Sequence, residues 1–270
     1  MRTAVLLSAS SDIGSALAAD WLARGDRVVG SERRTSDATA ALTARGAMMA
    51  PCDLGDRASC EAFIDFARRH APDWDVLVLA AGQLDPVGPF AGCDFDAWED
   101  SFTVNLTAQL RVLHGLLPVR RRGGEPPLVL FFAGGGTNGA PTNFSAYTLA
   151  KIASIKMVEL LDAELPDVRT TILGPGWVRT KIHEQTLAAG EHAGAAYAQT
   201  VQRLRDGDFI AMERIVACCN WLIEQPREVI GGRNFSAAHD PWGKPELAQA
   251  LRADVDAYKL RRSGNALFAS

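Results

Sequence analysis

Short apolar runs alternate with longer amphipathic stretches along most of this chain, and that alternation restricts it to a parallel sheet covered by helices on both faces. Residues 3–7 (TAVLL) are strand-like, and 13–24 (IGSALAADWLAR) space their apolar residues for one helical face, with Gly25 placed to end it. Further strands are expected at 27–30, 47–50, 75–79, 127–132, 168–173 and 232–237, and further helices at 36–45, 58–70, 95–119, 144–165 and 210–224. The runs DVLVL and PLVLFF lack a polar face, as strands buried on both sides do. The pattern predicts a doubly wound α/β fold of about seven strands, three-layer α/β/α, in a single domain. Two segments stand outside the alternation: 181–208, in the place of a lid, and a tail with a helical pattern over 245–262. We divide the chain into a domain at 1–240, lid included, and a helical tail at 241–270.

The 270 residues are 47% hydrophobic and 22% charged, enough apolar side chain for a full core. A net charge of −4 gives no general attraction to nucleic acid or to an anionic membrane. The one basic run, Arg120-Arg121-Arg122, follows a helical stretch and reads as its solvated end. No apolar run approaches the ~18 residues of a membrane span, and the first residues read as a strand rather than a secretion signal. Five cysteines, an odd number without a CxxC, read as core thiols in a reduced, cytoplasmic compartment and not as metal ligands. The expected partner is a small molecule, with neither nucleic acid nor membrane.

In a doubly wound sheet, ligands bind beyond the carboxyl ends of the strands, where the strand order reverses. The first turn there is Ser8-Ala9-Ser10-Ser11-Asp12-Ile13-Gly14, small and polar, opening a helix whose N-terminus suits a phosphate. With one glycine it reads equally well as an ordinary N-capped helix. A sharper signal is Tyr147 and Lys151, four apart on one helical face in a chain with only three tyrosines. A phenol ordinarily ionises near pH ~10. An adjacent ammonium and a cationic nicotinamide stabilise its anion, so that it exchanges a proton with an alcohol or carbonyl near neutral pH.

In this order the motifs resemble the short-chain dehydrogenase/reductase family, over about residues 3–237. SASSDIG stands where that family has its glycine-rich turn. Cys52-Asp53-Leu54 follows the third strand, Ala80-Ala81-Gly82 the fourth, and Asn105 lies in FTVNLTA. Tyr147 and Lys151 match the catalytic pair, and Pro175-Gly176-Trp177-Val178-Arg179-Thr180 matches the Pro-Gly turn. The resemblance implies a Rossmann-type fold and an NAD(P)-dependent oxidoreductase interconverting a secondary alcohol and a ketone. It makes Tyr147 the general acid/base, Lys151 the holder of the nicotinamide ribose, and Asn105 the organiser of a water relay. It makes Asp53 the adenine contact and Thr180 the contact to the nicotinamide carboxamide. Ser8, Ser10, Ser11, Asp12, Ile13, Gly14, Arg33, Leu54, Ala81, Gly82, Pro175, Gly176 and Val178 complete the expected cofactor site. It also implies a homodimer or homotetramer paired through helices near 98–119 and 144–165.

The sequence departs from that family at three places. The family serine stands thirteen positions before the tyrosine, which is Gly134 here, in AGGGTN. Thr137, Asn138 or Asn143 could replace it, or the backbone amides of the triple glycine, or the usual chemistry could be lost. Ser8 and Asp12 replace two glycines of the first turn; Asp12 reads as a helix N-cap whose charge opposes a pyrophosphate. After the second strand come Glu32, which suits the ribose of NAD, and Arg33, which suits the phosphate of NADP; the balance favours NADP slightly. Gly134, Gly135, Thr137, Asn143, Trp177 and His183 are the candidate substrate contacts. A fainter resemblance to reductases of carbohydrate biosynthesis suggests a sugar or polyol derivative. The alternatives are a cofactor-binding scaffold that has lost turnover, and an epimerase or dehydratase with no net redox.

Overall fold

Successive residues of the first strand, β1 (Thr3–Leu7), feed two different cores. Ala4 and Leu6 join Leu17, Trp21 and Leu222 on one face, while Val5 and Leu7 join Phe63, Val112 and Val158 on the other. A strand covered on both sides has no use for polar positions, which is why TAVLL shows no alternation. The computed structural model describes residues 1–263. Six more strands continue the sheet: β2 (Arg27–Glu32), β3 (Met48–Pro51), β4 (Val76–Leu79), β5 (Leu128–Phe132), β6 (Arg169–Gly174) and β7 (Arg233–Ser236). All pairs are parallel, in the order β3-β2-β1-β4-β5-β6-β7. The order reverses between β1 and β4, so the crevice that receives a ligand in such a sheet opens at their carboxyl ends.

The helices between the strands are α1 (Asp12–Ala23), α2 (Asp37–Ala44), α3 (Arg57–His70), α4 (Phe95–Phe102), α5 (Ala108–Leu116) and α6 (Ser145–Glu164). They continue as α7 (Ile182–Ala189), α8 (Ala195–Asp206), α9 (Met212–Glu224), α10 (Arg227–Ile230) and α11 (Pro245–Ala253). Ser11 caps α1 by accepting from the Gly14 amide, and Ser36 forms a capping box with Thr39 at α2. α1 and α9 cover one face of the sheet; α3, α5 and α6 cover the other. The fold is the three-layer, seven-strand arrangement that the sequence pattern predicts.

The stretch 95–119 is mostly helix, as expected: α4 runs through a π-helical segment, Thr103–Thr107, into α5, and a 3-10 turn, Leu117–Val119, ends it. Two expectations need correction. The tail pattern 245–262 is helical only to Ala253, because the Asp254 carboxylate accepts from the amides of Asp256 and Ala257 and turns the chain. The part of the tail at 264–270 lies outside the described residues. The basic run is paired and not simply solvated: Arg120 and Arg122 both bind Asp167, and Arg121 binds Asp75. The lid at 181–208 contains α7, a 3-10 turn and α8. Of the five free thiols, Cys52, Cys60, Cys218 and Cys219 are buried. Among the described residues no helix is long and apolar enough to cross a membrane, and no cluster of ligating side chains is placed to hold a metal.

Candidate active site

A cavity of about 1430 Å³ follows the carboxyl ends of the strands from Arg33 at one end to the lid and the tail at the other. Its central wall is the turn after β1. Ser8 sits there with φ +66, in the left-handed region where the family has glycine. Three hydrogen bonds hold it: its amide donates to Ser31 Oγ at 2.7 Å, and its carbonyl accepts from the amide and the hydroxyl of Ser11 at 3.0 and 2.8 Å. Gly14 lies beneath the turn, where a Cβ would overlap the Ser8 carbonyl. Ser11, and not Asp12, is the N-cap of α1. The amides of Asp12 and Ile13 donate to no protein acceptor among the described residues, so the first turn of α1 presents free N–H groups. That is the arrangement a phosphate requires.

The other end of the groove is built by α6. Lys151 is buried, 4% exposed, and donates to the Ala81 carbonyl at 3.1 Å. Burial without a carboxylate partner pulls its pKa down to about 8. One turn earlier, the Tyr147 ring lies 5.7 Å from the Lys151 Nζ. Burial pushes the Tyr147 phenol up to about 12, the opposite of the lowering expected when a cationic ligand is alongside. Asn105 lies behind this pair, in the π-helical segment. Its side chain accepts from the Gln83 amide at 3.0 Å and donates to the carbonyls of Gln83 and Ser101, both at 2.9 Å. It thereby staples the strand-end loop whose Ala81 carbonyl holds Lys151. Gln109 adds a second donor to that carbonyl at 3.2 Å.

Gly134 adjoins the phenol directly. A Cβ built there would lie 2.7 Å from Tyr147 Oη and as close to its ring. The space a serine would need is filled by the tyrosine itself. The amides of Gly134, Gly135 and Gly136 donate to no backbone carbonyl among the described residues. Thr137 lines the same cavity. Asn143 does not: it takes φ +71, and its carbonyl accepts from Gly88.

The lid closes over this pair. Trp177 stacks on His183, centroids 4.6 Å apart, and carries the Arg203 guanidinium at 4.7 Å on its ring. His183 also lies 2.8 Å from the Val178 carbonyl. Gln185 accepts from the Leu84 amide at 2.5 Å. Leu84, Phe144 and Ala193 form a third apolar cluster with Tyr147 and Ile182 packed against it. Of the site residues singled out in the sequence, all but Gly14, Glu32, Asn105, Asn143 and Arg179 line this cavity. Those missed are Gln185, Leu84, Phe144 and Ile182 of the lid chamber, and Tyr258, Lys259 and Leu260 of the tail. The first four lie in loops and helices without a motif, and the tail reaches the groove only through long-range packing.

The family model for short chain dehydrogenases matches residues 2–190. The chain belongs to the short-chain dehydrogenase family. It is an oxidoreductase of that family, and curated relatives are named as dehydrogenases. The 1-deoxy-11-beta-hydroxypentalenate dehydrogenase of Streptomyces exfoliatus is 33% identical over 72% of this chain and 73% of its own. Among solved structures, the KRED1-Pglu enzyme matches with a TM-score of 0.78 and 22% identity, covering 87% of this chain and all of that one. A short chain dehydrogenase from Burkholderia cenocepacia, in complex with NADP, matches with a TM-score of 0.72 and 19% identity, covering 87% of this chain and 95% of that one. At these identities the two structures bear on the fold alone.

Proposed function

We propose that this short-chain dehydrogenase uses NADP(H) to interconvert a secondary alcohol and a ketone, with Tyr147 as the acid/base. One observation carries the reading: Tyr147 and Lys151 open into the same cavity as the free amides at the start of α1, across the switch point of the sheet. The residues present fit a nicotinamide dinucleotide. The α1 amides and Ser10 would hold the pyrophosphate, Asp53 and Leu54 the adenine, Lys151 the ribose next to the nicotinamide, and Thr180 with Val178 the carboxamide. When bound, the cofactor supplies or accepts the hydride. Lys151, which donates to the Ala81 carbonyl, would hold the ribose from there, and its charge beside the phenol would offset part of the burial that pushes Tyr147 up to about 12.

NADP is favoured over NAD because Arg33 lines the groove, exposed and without an ion-pair partner among the described residues. Glu32 is turned inward, 9% exposed, and accepts from Thr35. The substrate oxygen is placed between Tyr147 and the free amides of the triple glycine, which substitute for the missing serine hydroxyl. The lid chamber around Leu84, Phe144 and Ile182 favours a largely apolar substrate over a sugar or polyol. The relative named for a hydroxypentalenate is consistent with an apolar hydroxylated substrate.

Fluorescence titration with NADPH and NADH tests the cofactor, and turnover on a panel of apolar ketones, with Tyr147→Phe as the control, tests the chemistry. The expected outcome is NADPH-dependent reduction that falls about 10²- to 10⁴-fold in Tyr147→Phe. The second reading, a cofactor-binding protein without turnover, is favoured by Gly134 and by the high pKa of the phenol. NADPH binding with no Tyr147-dependent reaction on any ketone would establish it.

A further inference from the structure

The groove is bridged by a hydrogen bond between residues 169 apart: Asp12 Oδ2 accepts from the Lys181 amide at 2.8 Å. Ser11 already caps α1, so the Asp12 carboxylate is released from that duty. Lys181 is the N-cap residue of α7, a helix that starts without a capping side chain of its own. Asp12 supplies the acceptor which that terminus lacks, from across the cavity that both residues line. Thr180, also on the cavity wall, is the residue immediately before the bond.

We propose that Asp12 is a positioning residue, a clasp by which the first turn of α1 fixes the Thr180-Lys181 turn against the nicotinamide end of the groove. This rests on the dinucleotide reading above. A carboxylate is a strong acceptor for an amide, and a neutral side-chain amide in its place keeps an oxygen in reach. The same carboxylate stands at the free amides where a pyrophosphate would sit, and there its charge is repulsive. Asp12 therefore acts with opposite signs on the two halves of the ligand: it weakens the hold on the phosphates and secures the nicotinamide end.

The test compares Asp12→Asn, which keeps an acceptor without the charge, with Asp12→Ala, which keeps neither. Calorimetry measures the affinity for NADPH and for its phosphate-side fragment 2′,5′-ADP, and the fluorescence shift of bound NADPH reports the nicotinamide end. Both variants should bind 2′,5′-ADP more tightly, by about fivefold, from loss of the repulsion. In Asp12→Ala the ratio of NADPH to 2′,5′-ADP affinity should fall about tenfold and the fluorescence shift should shrink, while in Asp12→Asn both stay within about twofold of the starting protein. An unchanged ratio in Asp12→Ala, or an equal fall in the two variants, overturns the clasp. A parallel loss of both ligands in Asp12→Ala, with a lowered melting temperature, also overturns it, as a merely structural role. If the unaltered protein bound neither NADPH nor NADH, the dinucleotide reading itself would fail, which is a separate outcome.

Discussion

Gly134 and Tyr147 have exchanged space. Because a Cβ at 134 would lie 2.7 Å from the phenol oxygen, restoring the family's serine does not restore the family's geometry. If Tyr147 is the acid/base proposed above, Gly134→Ser should lower the rate of ketone reduction at least ~10-fold by displacing the phenol, and a gain in rate in steady-state assays would contradict this. Lys151 makes a second prediction at the same scale. Its ordinary value of 10.5 is depressed to about 8 by burial. Below pH 8 folded and unfolded chains both carry the charge. Between pH 8 and 10.5 the unfolded chain holds a proton that the folded chain has released, so raising the pH through this window favours the fold, by up to ~3 kcal/mol. Denaturant titrations of the protein and of Lys151→Met across that window should diverge by this amount. Tyr147 works in the reverse sense at higher pH: the unfolded chain ionises first, from 10 up to about 12, and stability falls.

At the scale of elements, strands were more legible than helix continuity. A strand buried on both faces advertises itself as an unbroken apolar run, and β1, β4 and β5 were readable for that reason. The segment 95–119 keeps a helical spacing of apolar residues throughout, so nothing in its pattern marks the extra residue that makes Thr103–Thr107 a π-helical turn. That turn is what brings Asn105 to Gln83. Between elements, the buried Trp21 of α1 donates to Asn220 of α9 at 2.8 Å, and Asn220 in turn donates to Asp20 at 2.9 Å. Asn220→Ala leaves the indole N–H without an acceptor and should cost ~1–3 kcal/mol in urea titrations, with the sheet intact by circular dichroism. The Tyr147–Lys151 spacing could be read because both residues lie one helical turn apart. The partner of Asp12 could not, because a contact between residues 169 apart leaves no local pattern.

At the scale of the molecule, the tail beyond α11 is part of the groove. Tyr258 O accepts from the Asn234 amide at 2.8 Å, its ring meets Phe235 edge-on at 5.4 Å, and Arg261 pairs with Glu159 of α6 at 2.7 Å. Removing residues 254–270 uncovers Phe235 and takes away the wall that Tyr258, Lys259 and Leu260 supply. The melting temperature should drop by roughly 5 °C in calorimetry, with weaker retention of whatever occupies that end. The large cavity is walled by residues from Ser8 in the first turn to Leu260 in the tail. Segments far apart in sequence must therefore pack together before the cavity has all its walls, and a chain clipped within the tail keeps the switch-point crevice while losing one side of it.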